Sequence, residues 1–191
     1  MSDNTISLAH SIVGVSKGRP KDDFYPTPEE ATIALLKRET FKGVIHEPAC
    51  GDGAISKVLQ RELHNKVIST DLYDRGFGVP GIDFLVNNFK DGKVDNIITN
   101  PPYSLGQAFV EKALRVTHEK IAMLMKIQFL EGARRYALLK NSPLKSVYVF
   151  SKRLTLTRNG EPRTGTGMIC FAWYIWDMSY AGKPYIDWIN I

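Results

Sequence analysis

The chain has 191 residues, 43% of them hydrophobic and 24% charged, which is the composition of an ordinary globular domain rather than of a fibrous or disordered chain. A formal charge of +5 permits nucleic acid as a partner without requiring it. Cys50 and Cys170 stand far apart, and His10, His46, His64 and His118 are scattered without ligand spacing, so no metal site is expected, although one disulfide stays open. No apolar run reaches the length of about 18 residues that a membrane helix needs, and "MSDNTISLAH" lacks the basic and apolar blocks of a secretory signal. The expected location is cytoplasmic, in a bacterium or a phage-infected host.

Residues 1–22 are polar, with Gly14, Gly18 and Pro20 among serines and lysines, and read as a flexible arm. Lys17, Arg19 and Lys21 make this arm either a solvated tail or a segment that touches phosphate. Residues 23–191 read as a single domain. In "FYPTPEEATIALLKRE", Thr27 with Glu30 three residues on is a capping box, Pro28 takes the first helical position, and Ala31, Ala34 and Leu35 recur at helical spacing. A helix is expected from near Pro28 to about Glu39. "GVIHEP" reads as a strand and "GDG" as a tight turn. "AISKVLQREL" is a helix with Ile55, Val58, Leu59 and Leu63 on one face. "KVIST" is a strand ending at Asp71, and a brief strand is possible before Asp83. "VDNIIT", "KIAMLMK", "KSVYVF" and "MICFAWYIW" are further strands, with "LGQAFVEKALRVTH" and "EGARRYALLK" as helices between them.

This alternation predicts an α/β fold, a mostly parallel sheet covered on both faces. The last two strands are joined by a hairpin-like loop, which places an antiparallel strand near one edge. In such sheets ligands bind beyond the carboxyl ends of the strands, where strand order reverses. Four strand ends then share one rim: "EPACGDG", Asp71, "GIDF" and "NPPY". Gly51 and Gly53 let the backbone turn sharply and approach a ligand. The loop is neither GxGxxG nor followed directly by the lysine of a phosphate-binding P-loop, which points away from a nucleoside triphosphate. Asp71 is placed to accept hydrogen bonds from ribose hydroxyls; the alternative for Asp71 and Asp83 is a plain turn aspartate.

"DFYPTP", "EPACGDG", "STDL", "GIDF" and "NPPY", in this order and spacing, resemble the S-adenosylmethionine-dependent amino-methyltransferases of DNA, most of all the small adenine-N6 enzymes of phages and prophages. The resemblance spans roughly residues 22–178 and implies a Rossmann-like methyltransferase fold with S-adenosyl-L-methionine as cofactor. By position it assigns Glu47, Pro48, Ala49, Cys50, Gly51 and Gly53 to the cofactor loop. It assigns Asp71 and Leu72 to the ribose, Asp83 and Phe84 to the adenine ring of the cofactor, and Tyr25, Pro26 and Thr27 to the methionine moiety. Thr27 is then either a helix cap alone or a cap whose helix N-terminus also faces the cofactor carboxylate. Asn100, Pro101, Pro102 and Tyr103 become the transfer site, with Asn100 also against the cofactor. The Asn100 side-chain oxygen and the Pro101 carbonyl accept the two N–H groups of an exocyclic amine, the prolines hold both acceptors still, and Tyr103 stacks on a base that has left its duplex.

Other candidates are weaker. Phe129 is a candidate pocket wall, and Arg134 and Arg135 either meet phosphate or face water. The loop "KRLTLTRNGEPRTGTG" carries Lys152, Arg153, Arg158 and Arg163 as candidate DNA contacts. In "FAWYIW", Phe171, Trp173 and Ile175 share one face and Ala172, Tyr174 and Trp176 the other; all read as core, although the family places an aromatic near this point against the flipped base. Cys50 reads as a packing residue rather than a nucleophile. One departure from the family pattern is that there is no room for a separate target-recognition domain, so short or relaxed specificity is expected. DNA is the expected acceptor and RNA a possible one; glutamine side chains of proteins, or a non-catalytic binding module, are the alternatives.

Overall fold

The computed structural model describes residues 24–87, 94–156 and 169–191. The expected arm at 1–22, and Arg158 and Arg163, lie outside them. The chain forms α1 (Glu29–Leu36), β1 (Ile45–Glu47), α2 (Ala54–Glu62), β2 (Val67–Ser69), β3 (Val94–Thr99), α3 (Gly106–Val116), β4 (Thr117–Lys126), α4 (Ala133–Asn141), β5 (Leu144–Phe150), β6 (Phe171–Asp177) and β7 (Tyr185–Ile189). Short 3-10 turns at Tyr103–Leu105 and Ile127–Leu130 follow the ends of β3 and β4.

The seven strands form one sheet in the order β2-β1-β3-β4-β6-β5-β7. All adjacent pairs are parallel except those made by β6, which runs antiparallel to both β4 and β5. The antiparallel strand near one edge is thus β6, third from that edge. The edge itself is β7, which the sequence pattern does not reveal. Four of its five residues are exposed or half-buried, so no alternation marks it, and it is held by pairing with β5. The brief strand expected before Asp83 is reduced to a single bridge between Thr70 and Val79.

Two apolar layers flank the sheet. One joins Ala31 and Leu35 of α1 and Ile55 and Leu59 of α2 to Ile45, Ile98, Leu124, Trp173 and Ile175. The other joins Phe109, Val110 and Ala113 of α3, with Leu138 and Leu139 of α4 at its margin, to Ile97, Ile121, Met123, Tyr174 and Trp176. The two faces expected of β6 therefore separate as the alternation requires. Its indoles find partners as well: Trp173 Nε1 donates to the Ala31 carbonyl at 2.8 Å, and Trp176 Nε1 to Ser142 Oγ at 2.9 Å.

Helix α1 stops at Leu36, short of the expected Glu39. Beyond its end, the buried Glu39 carboxylate takes hydrogen bonds from Lys120 (2.7 Å), Lys145 (2.9 Å) and Tyr148 (2.8 Å). Burial pushes this carboxyl up, but the donors outweigh it and hold it below the usual range. Asp177 stands 3.8 Å from Lys120 and 3.7 Å from Lys145. This ion cluster closes the end of the sheet where β4 and β5 begin. The opposite end, where all parallel strands finish and β6 starts, is the rim that carries the candidate site.

Candidate active site

The strand order reverses between β1 and β3, and their carboxyl ends open a crevice at that point. The loop after β1 is shaped by glycine. Gly51 and Gly53 have φ of +56° and +83°, and a Cβ at either would run into an aromatic ring, Phe24 over Gly51 and Phe77 over Gly53. Arg75 lies 4.4 Å over the Phe24 ring and Lys57 5.2 Å over that of Phe77. The loop is tied to the next strand by Cys50 N to the Thr70 carbonyl (3.0 Å) and Gly51 N to Asp71 Oδ2 (2.8 Å). Asp71 Oδ1 accepts from Tyr73 N at 2.9 Å. Asp71 is thus buried beside the glycine loop, its carboxylate fixed through one hydrogen bond to each oxygen. Each oxygen retains a lone pair for another donor.

Acidic groups converge here. The buried Glu47 carboxyl is pushed well up, first by burial and further by Asp71 and Asp52, against the Ser56 hydroxyl that donates to it. Ser56 Oγ also meets Ser69 Oγ at 2.6 Å. Burial and the same carboxylates push the Cys50 thiol up to about 12, so it is a packed thiol rather than a thiolate nucleophile. Both cysteines are free. His46, under the same loop, meets Thr70 Oγ1 at 2.8 Å and is driven down to about 4 by burial.

At the end of β3, Asn100 Nδ2 donates to the Tyr25 carbonyl and to Thr27 Oγ1, each at 3.1 Å. A carbonyl only accepts, so the amide orientation is determined: the NH2 faces the N-terminal segment and Oδ1 faces the other way. Asn100 Oδ1 is buried and has no hydrogen-bond partner among the described residues. The capping box is not formed: α1 has no side-chain cap, and the Thr27 hydroxyl serves Asn100 instead. Pro102 turns the chain into the following 3-10 turn, its carbonyl accepting from Leu105 N at 2.8 Å. The Tyr103 ring lies 5.9 Å from that of Tyr25 and 5.5 Å from that of Phe171, the first residue of β6.

The structure therefore brings Tyr25, Thr27, Asn100 and Tyr103 together, and sets Cys50, Gly51 and Asp71 together across the crevice mouth. Pro48 is buried, and Ala49 packs against the second apolar layer. Pro26 and Leu72 lie in the flanking segments, half-buried and exposed. Asp83 spends Oδ1 on a local turn, accepting from Leu85 N at 2.8 Å. Phe84 is buried against Phe109, ring centroids 5.1 Å apart. Phe129 packs edge-on against Tyr174 at 5.5 Å, and Arg135 caps it by donating to its carbonyl at 2.9 Å, while Arg134 is exposed. Lys152 and Arg153 are exposed just past the end of β5, on the same rim. Sequence reasoning missed Phe24, Phe77 and Arg75, whose contacts are long-range and leave no local pattern. It named Phe171 without choosing it among the β6 aromatics; being first in an antiparallel strand is what puts it at the rim.

No protein-family model and no curated protein matches the sequence. Solved structures do match in fold. A protein assigned as a modification subunit of a type I restriction enzyme from Vibrio vulnificus YJ016 has TM-score 0.63 and 16% identity, covering 97% of this chain and 50% of that one. A protein assigned as an RNA methyltransferase from Pyrococcus horikoshii has TM-score 0.60 and 18% identity, covering 93% and 97%. A dimethyladenosine transferase from Plasmodium falciparum has TM-score 0.57 and 15% identity, covering 81% and 62%. The chain spans about half the length of the Vibrio protein. Its fold is the Rossmann-like methyltransferase fold, a mixed seven-stranded sheet, mostly parallel, with helices on both faces.

Proposed function

We propose that the chain transfers a methyl group from S-adenosyl-L-methionine to the N6 amino group of adenine in DNA, with short or relaxed sequence specificity. The observation that carries this reading is the Asn100 amide: its NH2 is held by two hydrogen bonds, and its oxygen is left buried and unpaired. Such an orphan acceptor costs about 1–3 kcal/mol unless a ligand donor meets it. The exocyclic nitrogen of adenine is a poor nucleophile, because its lone pair is delocalised into the ring. Asn100 Oδ1 takes one of its N–H groups and the Pro101 carbonyl takes the other. Together they draw the nitrogen toward tetrahedral geometry and free the lone pair, with no general base of tuned pKa needed before transfer. Tyr103, flanked by Tyr25 and Phe171, supplies the aromatic surface for the base.

The cofactor's contribution is a methyl group on a sulfonium, which leaves behind a neutral thioether. The residues present fit that group. The glycine loop permits close backbone approach, and Asp71 has acceptor capacity for ribose hydroxyls. The carboxylates of Asp52 and Asp71, the same charges that push the Glu47 carboxyl up, give the site the wrong sign for phosphates and the right sign for a cationic cofactor. Among the described residues no acidic, histidine or cysteine cluster of three or more could hold a metal, and no helix is long and apolar enough to cross a membrane.

The nucleic-acid acceptor draws support from the exposed Lys152 and Arg153 on the active rim, and from neighbours of the same fold named for RNA, dimethyladenosine or restriction-modification. The test is incubation with labelled S-adenosylmethionine and separate DNA, RNA and glutamine-peptide acceptors, followed by mapping of the modified bases. N6-methyladenine at many short contexts in DNA is expected. Transfer confined to RNA or peptide, or to a single long DNA site, would overturn the reading at the acceptor or at the specificity respectively.

A further inference from the structure

Strand β4 carries a lysine near each end, and the two are treated in opposite ways. Lys120, near its start, is neutralised by Glu39 at 2.7 Å and stands 3.8 Å from Asp177. Lys126, its last residue, lies about 20 Å away at the active rim. It is half-buried and makes no ion pair with the described residues; its ammonium sits 4.8 Å from the centroid of the Tyr103 ring. A cation–π contact offsets part of the cost of removing an ammonium from water, about 0.5–2 kcal/mol, but it brings no counter-charge. The placement is specific. Tyr103 follows Asn100 and the two prolines, and β3 and β4 are adjacent and parallel, with Thr99 level with Met123, so Lys126, three residues further along β4, stands beside the candidate transfer site on the rim, at the level of Pro102.

We propose that Lys126 is a substrate-positioning residue that binds a backbone phosphate of the target strand, and that it thereby selects a nucleic acid over a protein amide. This rests on the proposed methyl transfer to adenine. With no substrate present, the ammonium occupies one face of the Tyr103 ring. A base that stacks on that face must displace it, and the nearest anion the same substrate brings is its own phosphate. Exchange of an aromatic partner for a phosphate couples entry of the base to capture of its backbone. A glutamine side chain brings no such charge and would leave the ammonium where it is.

The test uses the full chain with a fluorescent duplex carrying adenine opposite an abasic site, and an RNA strand of the same sequence. Binding is measured over a series of salt concentrations for wild type, Lys126→Met and Lys126→Arg. Methyl transfer by wild type and binding of S-adenosylhomocysteine by each variant are measured alongside. Methionine keeps the apolar stem over Tyr103 and removes the charge. The expected result is a log–log salt slope smaller in magnitude by about 0.9 for Lys126→Met on DNA, restored in Lys126→Arg, with cofactor-product affinity unchanged. The same change on RNA with none on DNA would support the phosphate assignment and move the acceptor to RNA. An unchanged slope in Lys126→Met on both probes would overturn the inference, even if turnover fell, because a purely structural role of the lysine would move kcat and not the slope. If the wild-type chain methylates no nucleic acid, the proposed function itself fails and the role of Lys126 with it.

Discussion

Thr27 carries two incompatible local and long-range roles, and the long-range one prevails. The sequence Thr-x-x-Glu favours a capping box, yet the hydroxyl accepts from Asn100, 73 residues away. The two roles make different predictions for Thr27→Val. A lost cap would cost about 1 kcal/mol of stability and leave turnover alone. A lost tether on Asn100, which keeps its bond to the Tyr25 carbonyl, should reduce kcat roughly tenfold, the worth of about one hydrogen bond, with melting temperature nearly unchanged. Steady-state kinetics and thermal melts on one variant separate them, and the second pattern is expected. Asn100 and Asp71 were legible in the sequence because strand ends and glycine turns are local signals. The partner of the Asn100 amide was not, because nothing near Thr27 says that the chain returns to it.

Among the elements, the loops between β1 and α2 and after β2 form one unit held by glycine. Gly78 has φ of +72°, and a Cβ there would stand 2.7 Å from both Cys50 Sγ and the Ser69 carbonyl oxygen. Gly78→Ala therefore combines a left-handed backbone with a clash against main chain. It should cost roughly 2–3 kcal/mol, on the order of 5–10 °C in Tm for a chain of this size. Because Gly78 packs against Cys50 of the glycine loop, which the proposed function gives to the cofactor, affinity for S-adenosylhomocysteine should weaken in the same variant. Calorimetric melting and titration read both effects, and a wild-type Tm would contradict the packing described. Sequence periodicity located the helices and six of the seven strands, since amphipathic spacing is a property of each segment by itself. The two faces of β6 were legible for the same reason. Strand β7 escaped because Ile186 and Trp188 remain exposed and its pairing partner, β5, lies far earlier in the chain. The rings of Phe24 and Phe77 over the glycine loop escaped similarly: an isolated aromatic does not announce which turn it will cover.

At the scale of the whole molecule, buried titratable groups set how stability responds to pH. His46 is driven from 6.5 down to about 4, so the folded state favours its neutral form. Its contribution is complete above pH 6.5 and is lost as pH falls toward 4, about 3 kcal/mol in all. Glu39, held below its ordinary value, adds to the loss as pH drops below about 4.5. Glu47, raised by burial, has the opposite sign: its contribution is complete below about 4.5 and declines as pH rises. Between about 4.5 and 6.5 the Glu47 slope opposes that of His46, so the difference between two chains carries the test: in denaturant melts from pH 4 to 8, His46→Gln, which cannot titrate, should lose less stability than wild type as pH falls from 6.5 to 4. A wild-type slope in that variant would place the acid sensitivity elsewhere. The most direct test of the central claim, that the buried Asn100 oxygen activates an adenine amine, is single-turnover methyl transfer by Asn100→Ala under saturating cofactor and DNA, read as N6-methyladenine by mass spectrometry. Transfer should fall by at least about a hundredfold, the loss expected when a preorganised transition-state contact is removed, while S-adenosylhomocysteine still binds. Transfer at the wild-type rate would contradict the assignment of the site.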